Sequence, residues 1–73
     1  MIEVRLFATL RQDRERSIML DSKDFPTVQD VLTHLDILPG EVSILLVNGF
    51  HKSLETQLVD GDVVALFPPV GGG

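Results

Sequence analysis

The sequence predicts one α+β domain of five strands and a single helix, in the order β-β-α-β-β-β. Two segments alternate apolar and polar residues with period two, and two more are short apolar runs, the two ways a strand shows itself. One segment repeats its apolar residues at helical spacing, and tight-turn dipeptides punctuate the rest. At 73 residues there is room for one core only.

Along residues 2–8, Ile2, Val4, Leu6 and Ala8 alternate with Glu3, Arg5 and Phe7, as in a strand with one face in the core. The opposite parity would bury Glu3 and Arg5, which is costly for unpaired charges. Mixed charges fill residues 11–16, and alternation resumes at Ile18 and Leu20, so the first two strands form a hairpin. Asp21-Ser22-Lys23-Asp24 is a turn cluster. Phe25-Pro26-Thr27 then opens a helix with Thr27 as N-cap and Asp30 at the third helical position, an imperfect capping box. Val28, Val31, Leu32 and Leu35 share one helical face, predicting a helix over residues 28–35 packed on the sheet and ended before Pro39-Gly40.

Residues 43–47, apolar in succession from Ile44 on, read as an internal strand. Asn48-Gly49 is a favoured two-residue hairpin turn, returning residues 50–53 as a short fourth strand. Residues 54–58 read as loop or a brief helical turn, and Asp60-Gly61-Asp62 as a tight turn into the central strand at 63–67. The predicted core is Val4, Leu6, Ile18, Leu20, Val31, Leu32, Leu35, Leu45, Val47, Val64 and Leu66.

Composition removes several function classes. Eleven acidic against six basic residues give a net charge of −5, so a nucleic-acid backbone is repelled and protein partners are expected to offer basic grooves. There is no Cys, hence no disulfide scaffold, thiolate metal site or cysteine nucleophile. The longest apolar runs, Ile44 to Val47 and Val63 to Phe67, fall far short of a membrane span, and no basic leader precedes the first strand. The expectation is a soluble cytoplasmic protein with no membrane partner.

Nor does any constellation suggest catalysis. His34 reads as a solvated residue near the helix C-terminus, and His51 lies beside Lys52 after a hairpin turn. Asp60 and Asp62 flank a glycine, but two carboxylates are too few for a hard cation and Asp-Gly is ordinary turn chemistry. No metal site is expected. The exception is the end of the chain, where Pro68-Pro69 leans to polyproline II and Val70 is followed by Gly71, Gly72 and Gly73. Glycines carry no side chain to keep them out of a narrow tunnel, although composition alone fits a frayed terminus or linker equally well. No helix follows to make these glycines a phosphate loop.

The ending Phe67-Pro68-Pro69-Val70-Gly71-Gly72-Gly73 resembles that of the MoaD-type sulfur carriers, the small subunits of molybdopterin synthase. So do the opening Met1-Ile2-Glu3-Val4-Arg5-Leu6-Phe7-Ala8, Phe25-Pro26-Thr27-Val28, Val47-Asn48-Gly49 and Asp60-Gly61-Asp62-Val63-Val64. Phe-Pro-Pro-Val is the specific part. A terminal Gly-Gly is shared with ThiS-type carriers of thiamine synthesis and with ubiquitin-like modifiers.

The resemblance implies a ubiquitin-like β-grasp fold: a mixed sheet with the helix on one face over residues 1–67, followed by a flexible extended tail at 68–73. It implies that the Gly73 carboxylate is adenylated by an E1-like, MoeB-type enzyme using ATP, receives sulfur from a donor as a thiocarboxylate, and passes it to a pterin precursor. The tail, Pro68, Pro69, Val70, Gly71 and Gly72 with Gly73, would thread into a MoaE-type large subunit that supplies the catalytic residues. The chain itself would bind no cofactor. β-Grasp topology also makes the first and last strands parallel neighbours, so Phe7 and Phe67, extended by Leu46, are expected to form an exposed docking patch beside the tail. Alternatives are a thiamine-pathway carrier, a ubiquitin-like protein modifier, or an interaction module with an inert end.

Overall fold

The computed structural model describes residues 1–11 and 14–69. The tail positions Val70, Gly71, Gly72 and Gly73 lie outside the described residues. Strands β1 (Ile2–Leu6), β2 (Ser17–Leu20), β3 (Ile44–Val47), β4 (Phe50–His51) and β5 (Val63–Phe67) surround one helix, α1 (Val28–His34). They form one sheet in the order β2-β1-β5-β3-β4. β1 runs parallel to β5, and the other pairs are antiparallel.

The alternation in β1 sets the layers. Ile2, Val4 and Leu6 are buried with Val64 and Leu66 of β5, Leu45 and Val47 of β3, and Val28, Val31 and Leu32 of the helix. Each such side chain contributes about 1.5–3 kcal/mol when taken from water. A one-residue slip of β1 would replace three of them with Glu3, Arg5 and Phe7, so the register is fixed by burial. β5 lies in the middle, which explains why it is apolar at both parities.

A helix of seven residues is too short to hold itself, so both of its ends are tied. At the N-terminus the capping box is complete in geometry. The Asp30 amide donates to Thr27 Oγ1 at 3.3 Å and the Thr27 amide donates to Asp30 Oδ2 at 3.1 Å. The next two amides, of Val28 and Gln29, donate to the Thr56 and Leu54 carbonyls, so the loop at 54–58 serves the helix rather than forming a helix of its own. At the C-terminus Asp36 takes a left-handed conformation, φ 58°. Its amide donates to the Thr33 carbonyl and that of Ile37 to Leu32, which is a Schellman closure with Ile37 driven into the core. Arg14 adds its guanidinium there, donating to the Leu35, Asp36 and Leu10 carbonyls at 3.2–3.4 Å.

Several boundaries differ from expectation. The first strand ends at Leu6 because Ala8 turns left-handed, φ 53°, and begins a 3₁₀ turn at Ala8–Arg11; Ala8 is exposed and Leu10 is buried in its place. The third strand starts at Ile44 and the fourth stops at His51. The helix stops at His34, with Leu35 as its cap, and Pro39-Gly40 belongs to a separate 3₁₀ turn. Ile18 and Leu35 are half-buried against the core, while Ile2, Leu10, Val28, Ile37 and Leu58, absent from the predicted core, are buried. Glu3 and Arg5 lie outside it, as expected.

The two turns at the far end of β5 form one unit. Asn48, φ 54°, and Gly49, φ 85°, supply the two left-handed residues of the hairpin. The Asn48 side chain donates to Asp62 at 2.9 Å and accepts from the Val63 amide at 3.0 Å, and Asp62 also accepts from the Val59 amide. Both Asp62 oxygens are therefore occupied in joining turns. Gly61, φ 95°, donates to the Met1 carbonyl, and the Met1 amino group pairs with Asp60.

Candidate functional site: the sheet face at the root of the tail

The helix covers one face of the sheet, and the alternate residues stand on the other. On that open face, register places Ser17, Arg5, Ala65, Leu46 and His51 in one row across β2, β1, β5, β3 and β4. One step nearer the tail, Phe7 follows Leu6 where Leu6 pairs with Leu66, so the parallel register sets it beside Phe67. The two rings stack with centroids 4.3 Å apart and planes 12° from parallel. Both are half-buried, as is Leu46.

Leu46 lies opposite Ala65, one step back from the stack, and the residue directly opposite Phe67 is Ile44, which is 40% exposed. Ile44 extends the patch and was missed, although it shares the parity of Leu46. The apolar platform is therefore Phe7, Phe67, Ile44, Leu46 and Ala65. Pro68 and Pro69 leave it directly and border a cleft of about 570 Å³ between the Ala8–Arg11 and Pro39–Glu41 turns.

Polar groups on the same face are few. Arg5 donates to Glu3 at 2.6 Å and Ser17 donates to the same carboxylate at 3.2 Å. Arg5 above all holds the Glu3 carboxyl below its ordinary value of 4.5, and Glu3 in turn raises Arg5. Among the described residues no group of His, Asp and Glu could hold a metal ion. His34 is exposed, as expected, with its ring tilted against that of Phe25 at 4.7 Å, and His51 is exposed on β4. No helix among the described residues is long and apolar enough to cross a membrane.

A mixed five-stranded sheet with one helix, and parallel first and last strands, is a ubiquitin-like β-grasp domain; here an aromatic platform adjoins the start of a glycine-ended tail. The model of the ThiS family matches residues 4–73, and the chain belongs to that family of ubiquitin-like sulfur carriers.

It is 35% identical to the molybdopterin synthase sulfur carrier subunit of Escherichia coli, with all of both chains covered. It superposes on the small archaeal modifier protein 1 of Haloferax volcanii with a TM-score of 0.76 at 30% identity, covering 99% of this chain and 98% of that one. It also resembles a protein of the Helicobacter pylori complex of subunits 1 and 2 of molybdopterin-converting factor. There the TM-score is 0.66 at 28% identity, over 99% of this chain and 97% of the other.

Proposed function

We propose that this chain is the sulfur-carrying small subunit of a molybdopterin synthase, and that the Gly73 carboxyl is its reacting group. The observation that carries the reading is the Phe7–Phe67 stack at the root of the Pro68-Pro69 segment, an aromatic surface half in water where the chain leads on toward its terminal glycines. Whole-length similarity to the Escherichia coli carrier subunit supports it, as does likeness to a converting-factor complex of two subunits.

In this reading the platform seats on a MoaE-type large subunit and the tail, Pro68 to Gly73, enters its active site. Carboxylate is a poor electrophile until an oxygen is made a leaving group, so an E1-like, MoeB-type enzyme first joins Gly73 to AMP from ATP with release of pyrophosphate. Attack by the outer sulfur of a donor persulfide then displaces AMP, and a second thiol cleaves the resulting acyl disulfide, leaving a thiocarboxylate on Gly73 and a disulfide on the donor. The chain acts as substrate and binds no cofactor; Gly71 and Gly72 let the backbone approach the partner closely.

The test is intact mass after incubation with ATP, the activating enzyme and a sulfur donor. Exchange of one oxygen for sulfur raises the mass by about 16 Da and maps to the last residue; an unchanged mass overturns the carrier reading. A second reading, a protein modifier, draws support from the likeness to the archaeal modifier. It predicts lysine-linked adducts of the chain on other proteins under the same conditions.

A further inference from the structure

The net charge conceals a division. Residues 1–16 hold four of the six cations and three of the eleven acids, whereas the other 57 residues hold two cations and eight acids. The fold sorts part of this charge in space, although Glu15 stays between Arg14 and Arg16 and Glu41 borders the cleft beside Pro68 and Pro69. Asp21 follows Leu20, which pairs with Ile2, and Asp62 precedes Val63, so with Asp24 and Asp60 they lie at the strand ends away from the tail. The Leu6 amide donates to the Arg16 carbonyl, and Arg11 closes the turn after Phe7, so both arginines lie at the tail end. With Arg5, Leu6, Phe7 and Ser17 they line a cleft of about 340 Å³ that shares Phe7 with the platform.

The arginines differ in what they have left to offer. Arg14 is spent on the carbonyls at the helix C-terminus, and Arg5 is paired with Glu3. Among the described residues, Arg11 and Arg16 make no salt bridge. Two guanidiniums on the wall of a cleft beside an aromatic stack suit carboxylates presented next to an apolar socket, because a guanidinium matches a carboxylate with paired N–H donors.

We infer that Arg11 and Arg16 receive an acidic strip of the large subunit, which borders the apolar socket that covers Phe7 and Phe67. This rests on the docking reading above and reverses the expectation drawn from net charge, since the partner meets the basic corner of an acidic protein. Charges at the rim of an interface act mainly on association rate and on its salt dependence.

The experiment measures association with the large subunit from the same organism at 50 and 500 mM NaCl, using stopped flow or biolayer interferometry. The double reversal Arg11→Glu/Arg16→Glu is compared with Lys23→Glu/Lys52→Glu, which changes net charge equally at exposed sites elsewhere. The arginine pair is expected to slow association on the order of 10-fold or more at low salt, with the difference collapsing at high salt. The lysine pair should stay within about threefold of wild type, and thermal unfolding should confirm that both variants fold. Equal slowing by both pairs would mean that net charge alone acts, and faster association of the arginine variant would mean a basic partner surface; either result overturns the inference. Phe67→Arg separates the two levels. If it binds like wild type the docking reading itself fails, whereas loss of binding there with no effect of the arginine reversals removes only the acidic strip.

Discussion

Phe67→Arg separates what the aromatic platform does for the fold from what it does for a partner. Phe67 is half-buried on the open face, and its partner in the fold is the Phe7 ring at 4.3 Å. Losing that stack removes about 0.5–1.5 kcal/mol. A 73-residue domain has about 4–11 kcal/mol of stability in total, so the variant stays folded at 25 °C. Each kcal/mol corresponds to roughly 4–8 °C in Tm at this size, which predicts a loss of about 2–12 °C. A central aromatic anchor in an interface is worth about 2–4 kcal/mol, and an arginine in its socket leaves a charge unpaired.

Kd for the large subunit should therefore rise about 30- to 1,000-fold. The control is Phe50→Arg. Phe50 is 69% exposed and sits opposite Val47, at the end of β3 away from the tail, so Kd should change less than about threefold. Isothermal titration calorimetry gives the affinities and differential scanning fluorimetry the stabilities. Wild-type affinity in Phe67→Arg, or equal loss in Phe50→Arg, would refute the assignment of the platform.

Arg14→Ala should cost about 1–2 kcal/mol, read as a Tm decrease of about 4–16 °C, because two carbonyls at the helix C-terminus and that of Leu10 in the Ala8–Arg11 turn lose their donor; Arg14→Lys should recover part of it. Asn48→Ala removes two hydrogen bonds at a left-handed position and should cost about 1–3 kcal/mol in urea unfolding, whereas Asn48→Gly should restore the backbone share alone. Glu3 titrates lower in the folded chain than its ordinary 4.5, so its pairing with Arg5 is fully present above that pH and fades as pH falls through the lowered value. The Tm difference between wild type and Glu3→Gln should accordingly shrink from pH 7 to pH 3. Deleting Gly73 should leave the Tm and large-subunit affinity unchanged yet abolish sulfur transfer, since misplacing a reacting atom by ~1 Å already costs on the order of 100-fold; retained transfer would remove Gly73 as the carrier residue.

The fold was legible wherever burial imposes a period. Ile2, Val4 and Leu6 must share a face, and Asn48-Gly49 admits few conformations other than a hairpin turn. What escaped was set by partners distant in sequence. Nothing near Asp36 announces a left-handed closure, which holds because Ile37 gains the core and Arg14 reaches the carbonyls from a different connection. Leu10 follows the same logic. It lies in a segment with no period, and only the turn that Ala8 starts brings it inward.

The site divides along the same line. Phe7 and Phe67 could be paired once parallel first and last strands were inferred, because register alone makes them neighbours. Ile44 followed from the parity already used for Leu45 and Val47, yet its exposure depends on where β3 starts, and that boundary is fixed by the Ser43 amide reaching the Phe67 carbonyl. Arg11 and Arg16 were the least visible. A net charge of −5 averages over the whole surface, whereas an approaching protein at physiological salt senses charges within a Debye length of about 8 Å. Over that range the cleft beside Phe7 is lined by arginines, of which Arg5 is paired with Glu3 and Arg16 adjoins Glu15, while Asp21, Asp24, Asp60 and Asp62 at the other strand ends are screened. The placement of six cations therefore says more about the partner than their excess or deficit does.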